Sequence, residues 1–303
     1  MKQRISIICT IVMMVLLVFG CGPKQLGTTG ATHQVTDGTG TVVTVPTEPK
    51  RIVPIAASTE DIVLSLVDPS RVAAVGTVPN NVPDASAKVE KHVKASAESI
   101  LSVQPDLVLV PNWMSPDAIG EMRNMQIPVY VYKTPTTVEE AKATIHEIAG
   151  LLHASDESMI ASMDADLKTV EDLANKYSGE RPLVAFYSQF GLTGGKGATF
   201  DDMCNYLMVN NAAAQIGLGP FDNGTREDLI KSNPDIIFIP SVAYTSDGTT
   251  PATAEQLYSD PALQGVKAIA NRRVYLVDSS QVMSYSQFMT RAMVSMAQNI
   301  YSM

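Results

Sequence analysis

Along this chain, short unbroken apolar blocks alternate with stretches in which apolar residues recur every third or fourth position. Blocks such as Leu107 to Val110 and Ile236 to Ile239 read as strands buried on both faces. Val138, Ala141, Ile145, Ile148 and Leu152 repeat at spacings of three and four, which predicts an amphipathic helix over Val138 to Leu152. Strands alternating with helices imply crossover units and parallel sheet. The predicted class is α/β.

The pattern places the remaining elements. Val35 to Val45 alternates around Asp37-Gly38 and predicts a hairpin. The runs "RIVPIAA" and "RVAAVG" read as short buried strands. Between them Ser58-Thr59-Glu60-Asp61 resembles a capping box starting a helix through Leu66. Helices are expected near Ala97 to Val103, Pro116 to Met125 and Phe200 to Leu207, and strands at "PVYVY", "RPLVAFY" and "RRVYLVD".

One phrase occurs twice. "AESILSVQPDLVLVP", Ala97 to Pro111, returns 129 positions later as "REDLIKSNPDIIFIP", Arg226 to Pro240. Glu98, Pro105, Asp106 and Pro111 meet Glu227, Pro234, Asp235 and Pro240, and the apolar positions coincide. Pro-Asp in both copies reads as turn chemistry. Between the copies, Met159, Ile160, Met163, Leu167, Val170 and Leu173 hold helical spacing and predict one long helix. The pattern is two similar α/β lobes with mostly parallel sheets, joined by that helix.

Composition excludes several classes. With 45% hydrophobic and 17% charged residues the chain can bury real cores and does not look disordered. A formal net charge of −9 argues against nucleic acid as a partner. Lys2 and Arg4 precede the apolar run Ile5 to Phe19, which is short of the ~20 residues of a permanent span. The run ends at Gly20-Cys21, similar to a bacterial lipobox, which would place a lipid on Cys21. An ordinary signal peptide or signal anchor is the other reading. The organisation is then 1–20 signal peptide, 21–33 flexible tether, 34–154 N-terminal lobe, 155–179 interlobe helix and 180–303 C-terminal lobe. Only Cys204 would remain as a free thiol, so neither an intramolecular disulfide nor a cysteine metal cluster is expected.

Searches for catalytic motifs come out empty. "GLTGGKGATF" lacks the spacing and the Ser or Thr of a phosphate loop and reads as a turn before a helix. His33, His92, His146 and His153 show no metal-ligand spacing, and a G-x-S-x-G elbow is missing. The expectation is a protein that is not an enzyme and has no intrinsic cofactor or metal.

The order of these pieces carries a resemblance. Lipobox, tether, "VTDGTGTVVTVPTEPKRIV", "SILSVQPDLVLV", the long linker helix and "REDLIKSNPDIIFI" together resemble the substrate-binding lipoproteins of ABC importers for cobalamin, ferric siderophores or haem. The resemblance covers residue 34 to the end. It implies two α/β lobes with a ligand cleft between them, modest closure, and an exported, membrane-anchored location facing the periplasm or cell exterior. It also implies a permease dimer with its ATPase as partner, with Glu98 and Glu227 docking one lobe each. A carboxylate in a first helical turn also serves the helix dipole, so either role is open for these two.

Residues just past the carboxyl ends of parallel strands should line such a cleft. Ser58, Trp113, Tyr187, Tyr244 and Tyr285 are the candidates singled out. For Trp113 a core position is the alternative, and each tyrosine can face the cleft or away from it. An aromatic cleft with hydroxyls suits a metal chelate. A corrinoid is favoured, ahead of haem and ferric siderophores, because catecholates would want an arginine cluster. A lipid-anchored enzyme, or a surface receptor that feeds no transporter, are the competing readings.

Overall fold

The unbroken apolar blocks form the centres of two separate parallel sheets. The computed structural model describes residues 30–77, 80–241 and 253–301. An N-terminal hairpin, β1 (Thr32–Thr36) with β2 (Val42–Pro46), is antiparallel around the predicted Asp37-Gly38 turn. Its tip is stitched to the first sheet: Gly38 N–H donates to the Val131 carbonyl, and the buried Asp37 carboxylate pairs with Arg123 at 2.5 Å. A side chain at position 38 would collide with the backbone of Val131 to Lys133, so only glycine permits this approach.

The first sheet is β3 (Ile52–Pro54), β4 (Leu107–Pro111) and β5 (Val129–Tyr132), all parallel with β4 central. The second holds β6 (Leu183–Ser188), β7 (Gly191–Thr193), β8 (Asn210–Asn211), β9 (Ile236–Pro240) and β10 (Val274–Val277). Here β10, β9 and β6 run parallel, β8 pairs with the start of β6, and β7 folds back antiparallel at the edge. "RVAAVG" is not a strand. Its backbone bonds first to Ile52 and then, two residues on, to the 91–93 segment, so no ladder extends beyond single bridges at Val72 and Val75.

Helix Val138–Leu152 is as the periodicity predicts, ending at His153 in the left-handed conformation. The linker helix is Glu157–Ala174, and it packs along the C-terminal helix Phe288–Tyr301. Strand alternation decides what each sheet face meets. Leu107, Leu109, Tyr130 and Tyr132 of the first sheet share one core with Val184, Phe186, Ile236 and Phe238 of the second. Met159, Met163 and Val170 of the linker helix lie in that core, with Met289, Met293 and Met296 of the last helix. The opposite faces, with Val108 and Val110 or Ile237 and Ile239, belong to separate outer cores. The two halves are therefore fused along their inner faces. Among the described residues, no helix is long and apolar enough to cross a membrane.

Both copies of the repeated phrase fold alike. Helices Ala97–Leu101 and Arg226–Ser232 are capped by the matching Ser96 and Thr225, and a positive φ follows at the matching positions Gln104 and Asn233. Pro-Asp is more than a turn. Asp106 accepts backbone N–H bonds from Lys50 (2.8 Å) and Arg51 (2.9 Å) just ahead of β3, and Asp235 accepts from Leu183 N–H (2.8 Å) at the start of β6. Each aspartate also donates its own N–H back, to the Arg51 or Leu183 carbonyl. The motif clasps the start of a neighbouring parallel strand.

Candidate ligand-binding site

In both sheets the parallel strands end on one edge, and the segments leaving those edges touch. Helix Ala57–Leu66 leaves β3 and the segment 278–287 leaves β10. They meet through Asp61, whose carboxylate accepts from Ser286 Oγ (3.0 Å) and Ser284 Oγ (3.2 Å).

The residues resembling a capping box do not cap this helix. Ala56 occupies the cap position at φ 88° without a side-chain bond, and Glu60 and Asp61 are buried. Glu60 accepts from Gly76 N–H (2.7 Å) and Asn80 Nδ2 (2.7 Å); Asp61 accepts from Asn81 N–H (2.7 Å) and Nδ2 (2.8 Å). Burial raises both carboxyls above the usual range against those hydrogen bonds, and Asp61 raises Glu60 further by like charge. The pair spends its polarity on tertiary contacts.

Ser58 is buried at the start of this helix. Beside it Thr59 Oγ1 donates to the Ile55 carbonyl (2.6 Å) and lies 2.7 Å from the Tyr132 hydroxyl. Tyr132, the last residue of β5, is fully buried, which pushes its hydroxyl up to about 12. Half-buried Tyr285, from segment 278–287, is close enough to add to that shift, and burial raises its own hydroxyl too. Ser58, Thr59, Tyr132 and Tyr285 form a hydroxyl-bearing floor where the two edges meet.

Above it the edges carry exposed rings. After β4, Asn112 N–H donates to the Tyr132 carbonyl (2.9 Å), and its side chain accepts from Thr134 N–H (3.0 Å). Met114 turns into the core and leaves Trp113 60% exposed, so this tryptophan is not a core residue. On the other lobe Phe190, in the turn from β6 to β7, is 51% exposed, and Phe221 is 92% exposed. The glycine-rich run explains how Phe221 is held. Lys196 N–H donates to the Leu218 carbonyl (2.7 Å), and Leu192 and Gly224 exchange backbone bonds of 3.0 and 2.7 Å. A side chain at Gly191 or Gly195 would strike the carbonyls of Gly224 or Leu218. The glycines admit the 218–224 loop, and the run forms β7 and its turn rather than a mere spacer before the helix.

Tyr187 is half-buried beside the outer core, where Arg226, Glu227 and Asp260 bear on its hydroxyl while burial raises it. Tyr244 and Cys21 lie outside the described residues. Glu98 and Glu227 are exposed second residues of their matching helices. Reasoning from sequence missed Tyr132 and Phe221. Tyr132 ends a predicted strand, and Phe221 sits in Gly-Pro-Phe-Asp-Asn-Gly, the setting of a displayed loop residue.

Near Tyr187, Arg226 pairs with Asp260 at 3.0 Å, while Arg123, which holds Asp37, and Arg272, over the Tyr258 ring, lie towards the opposite ends of the strands. Cys204 is buried, which raises its thiol. No group of three or more His, Cys, Asp or Glu side chains among the described residues could hold a metal ion. A cavity of about 490 Å³ between β2 and the start of β5, lined by Val42, Arg123 and Gln126, lies at the opposite ends of the strands.

Residues 52–281 match the family described as periplasmic binding protein. The chain is 27% identical over 321 residues to the uncharacterized ABC transporter substrate-binding lipoprotein YvrC of Bacillus subtilis (strain 168), covering 99% of this chain and 98% of that one. It is 23% identical over 270 residues to the cobalamin-binding protein of Halobacterium salinarum (strain ATCC 29341 / DSM 671 / R1), covering 86% of this chain and 72% of that one. The crystal structure of the heme binding protein HmuT superposes with a TM-score of 0.74 at 18% identity, over 93% of this chain and 94% of that one. That likeness establishes a shared α/β fold with parallel sheets.

Proposed function

This chain belongs to the periplasmic binding protein family, a family of binding proteins and not of enzymes, and from that premise we propose that it captures a metal chelate and delivers it to an ABC importer. The observation that carries this reading is the pair of sheet edges bearing Trp113, Phe190 and Phe221 above a floor of Ser58, Thr59, Tyr132 and Tyr285. Exposed rings on pinned loops cost solvation in the free protein and gain it back against a large conjugated ligand. Of these hydroxyls Tyr285, half-buried over the buried Ser58, Thr59 and Tyr132, is the one placed to meet the polar rim of such a ligand.

A corrinoid fits this chemistry first. Its side groups are amides that need hydrogen bonds, whereas haem propionates or catecholates favour free cations, and Arg123, Arg226 and Arg272 are engaged elsewhere. The cobalamin-binding relative supports that order, and the likeness to a heme binding protein keeps haem next, before ferric siderophores. Glu98 and Glu227, exposed on matching helices, suit two equivalent basic pockets on a dimeric permease. A lipid on Cys21 would hold the protein at the membrane outside the cytoplasm, as in the lipoprotein relative.

Titration of the protein with cyanocobalamin, haemin and a ferric hydroxamate, followed by native mass spectrometry, tests the ligand class. Saturable binding of cyanocobalamin ahead of the others is expected. If all three fail to bind the folded protein, the metal-chelate reading falls; haemin binding most tightly would replace the corrinoid. Cys21→Ser should abolish incorporation of labelled fatty acid, and unchanged labelling would remove the anchor.

A further inference from the structure

We propose that Asp61 is a positioning residue of the cleft: from the first helix of the N-terminal lobe it holds the C-terminal lobe's segment Ser280–Gln287 in place, and Tyr285 with it. This segment leaves the second sheet at β10 and rejoins the shared core at the C-terminal helix, where Thr290 Oγ1 donates to Asp166 of the linker helix (2.8 Å). Between those ends it bonds within itself, as from Ser286 N–H to Ser284 Oγ (3.2 Å), and its long-range side-chain bonds go to the other lobe. Ser284 and Ser286 donate to the Asp61 carboxylate, and Gln287 Nε2 donates to the Asp61 carbonyl (3.0 Å) and to Ser65 Oγ (3.0 Å). Asn81, itself held by Asp61, donates to the Ser280 carbonyl (2.9 Å) and accepts from Ser280 Oγ (2.7 Å).

Asp61 is thus the shared acceptor of a loop from its own lobe and a strap from the other, and it is fully buried. A buried carboxylate surrounded by four donors holds them in one arrangement, because each donor left unpaired there is costly. Its side chain does not reach the exposed rings, so it acts through the strap. Twist between the lobes at this point requires breaking the cluster, which limits closure at the same place where Tyr285 meets Tyr132. Burial raises the Asp61 carboxyl, and the donors from Asn81, Ser286 and Ser284 act against that rise. The effect on ligand binding rests on the cleft reading above; the positioning itself does not.

Hydrogen exchange on the ligand-free protein separates the two. Asp61→Asn turns one oxygen into a donor that faces Asn81 N–H on the Oδ1 side or three donors on the Oδ2 side, while Ser284→Ala with Ser286→Ala empties the strap side and leaves the Asp61–Asn81 bonds. Both variants should exchange the amides of 280–287 about tenfold faster, as expected for losing one or two net hydrogen bonds. Amides of β9 and β10 should keep wild-type protection. The triple variant should be no faster than either parent, since all three changes break one cluster. Unchanged protection of 280–287 in the serine variant, acceleration spread evenly over the second sheet, or additive acceleration in the triple variant would each overturn the proposal. In parallel, quenching of Trp113 by cyanocobalamin should show faster dissociation in the serine variant with association unaltered. If the wild type does not bind cyanocobalamin, the ligand reading fails while the exchange result still decides the role of Asp61.

Discussion

The two copies of the repeated phrase agree through the helix cap, the positive φ at Gln104 and Asn233 and the aspartate clasp, then part company after the strand. The first copy runs into a tight turn that seats Met114 and displays Trp113. The second reaches Ser241, whose N–H is held by the Val277 carbonyl (2.9 Å), before leaving the described residues. What the copies share is the chemistry of starting a strand beside a parallel neighbour. What they do not share is the sequence that follows the strand, Asn-Trp-Met after Pro111 and Ser-Val-Ala after Pro240. The clasp is also unequal: Asp106 is buried with two backbone donors, while Asp235 has one backbone donor, the Lys267 ammonium at 3.3 Å and a side chain 32% exposed.

That inequality gives the largest expected effect. Asp106→Ala strands two N–H groups at the start of β3 and should cost about 2–6 kcal/mol in urea unfolding, at about 1–3 kcal/mol per unsatisfied group. Asp235→Ala should cost about half as much, because it strands one backbone N–H rather than two. Equal losses would mean that burial does not distinguish the copies. Next comes the displayed ring. Trp113→Ala should weaken ligand binding by about 1–3 kcal/mol with unfolding unchanged, and Phe221→Ala should act in the same direction from the other lobe. Loss of stability with intact affinity would return Trp113 to a structural role.

A smaller effect depends on pH. The raised carboxyls of Glu60 and Asp61 contribute stability that is present below the ordinary carboxylate range and lost as pH rises through their elevated values. Replacing Glu60 with Gln should therefore flatten the dependence of the melting temperature over that window. A profile as steep as the wild type would show that other groups set it. The smallest effect concerns Glu98 and Glu227. Replacement of either by Gln should weaken permease docking by about 0.2–1 kcal/mol, reversal to Lys by more, and the two should add. Normal transport by the doubly reversed protein would reduce the repeat to shared folding. Lower melting temperatures in both single variants would favour the helix-dipole role.

Legibility followed the range of the forces involved. Helix Val138–Leu152 was readable to its last residue because a 3.6-residue period and a Thr137 cap are local signals. The strands β4 and β9 were readable because burial on both faces leaves an unbroken apolar run. "RVAAVG" was misread because an apolar run does not say which neighbour its backbone will meet. Ser58 to Asp61 were misread for a related reason: a capping box and two buried tertiary acceptors are written with the same residues.

From the sequence alone came the α/β class, the doubled phrase, the linker helix, the aromatic candidate Trp113 and the family resemblance, since each depends on periodicity or on the order of local pieces. Only the tertiary structure decided that the inner faces of both sheets share one core, that Pro-Asp clasps a strand start, and that Gly191 and Gly195 admit the loop bearing Phe221. The same holds for Asp61, whose partners Ser284 and Ser286 are more than two hundred residues away. Contacts between groups so distant in the chain depend on how whole sheets stack, and no local spacing encodes the place where two separately folded edges come to rest.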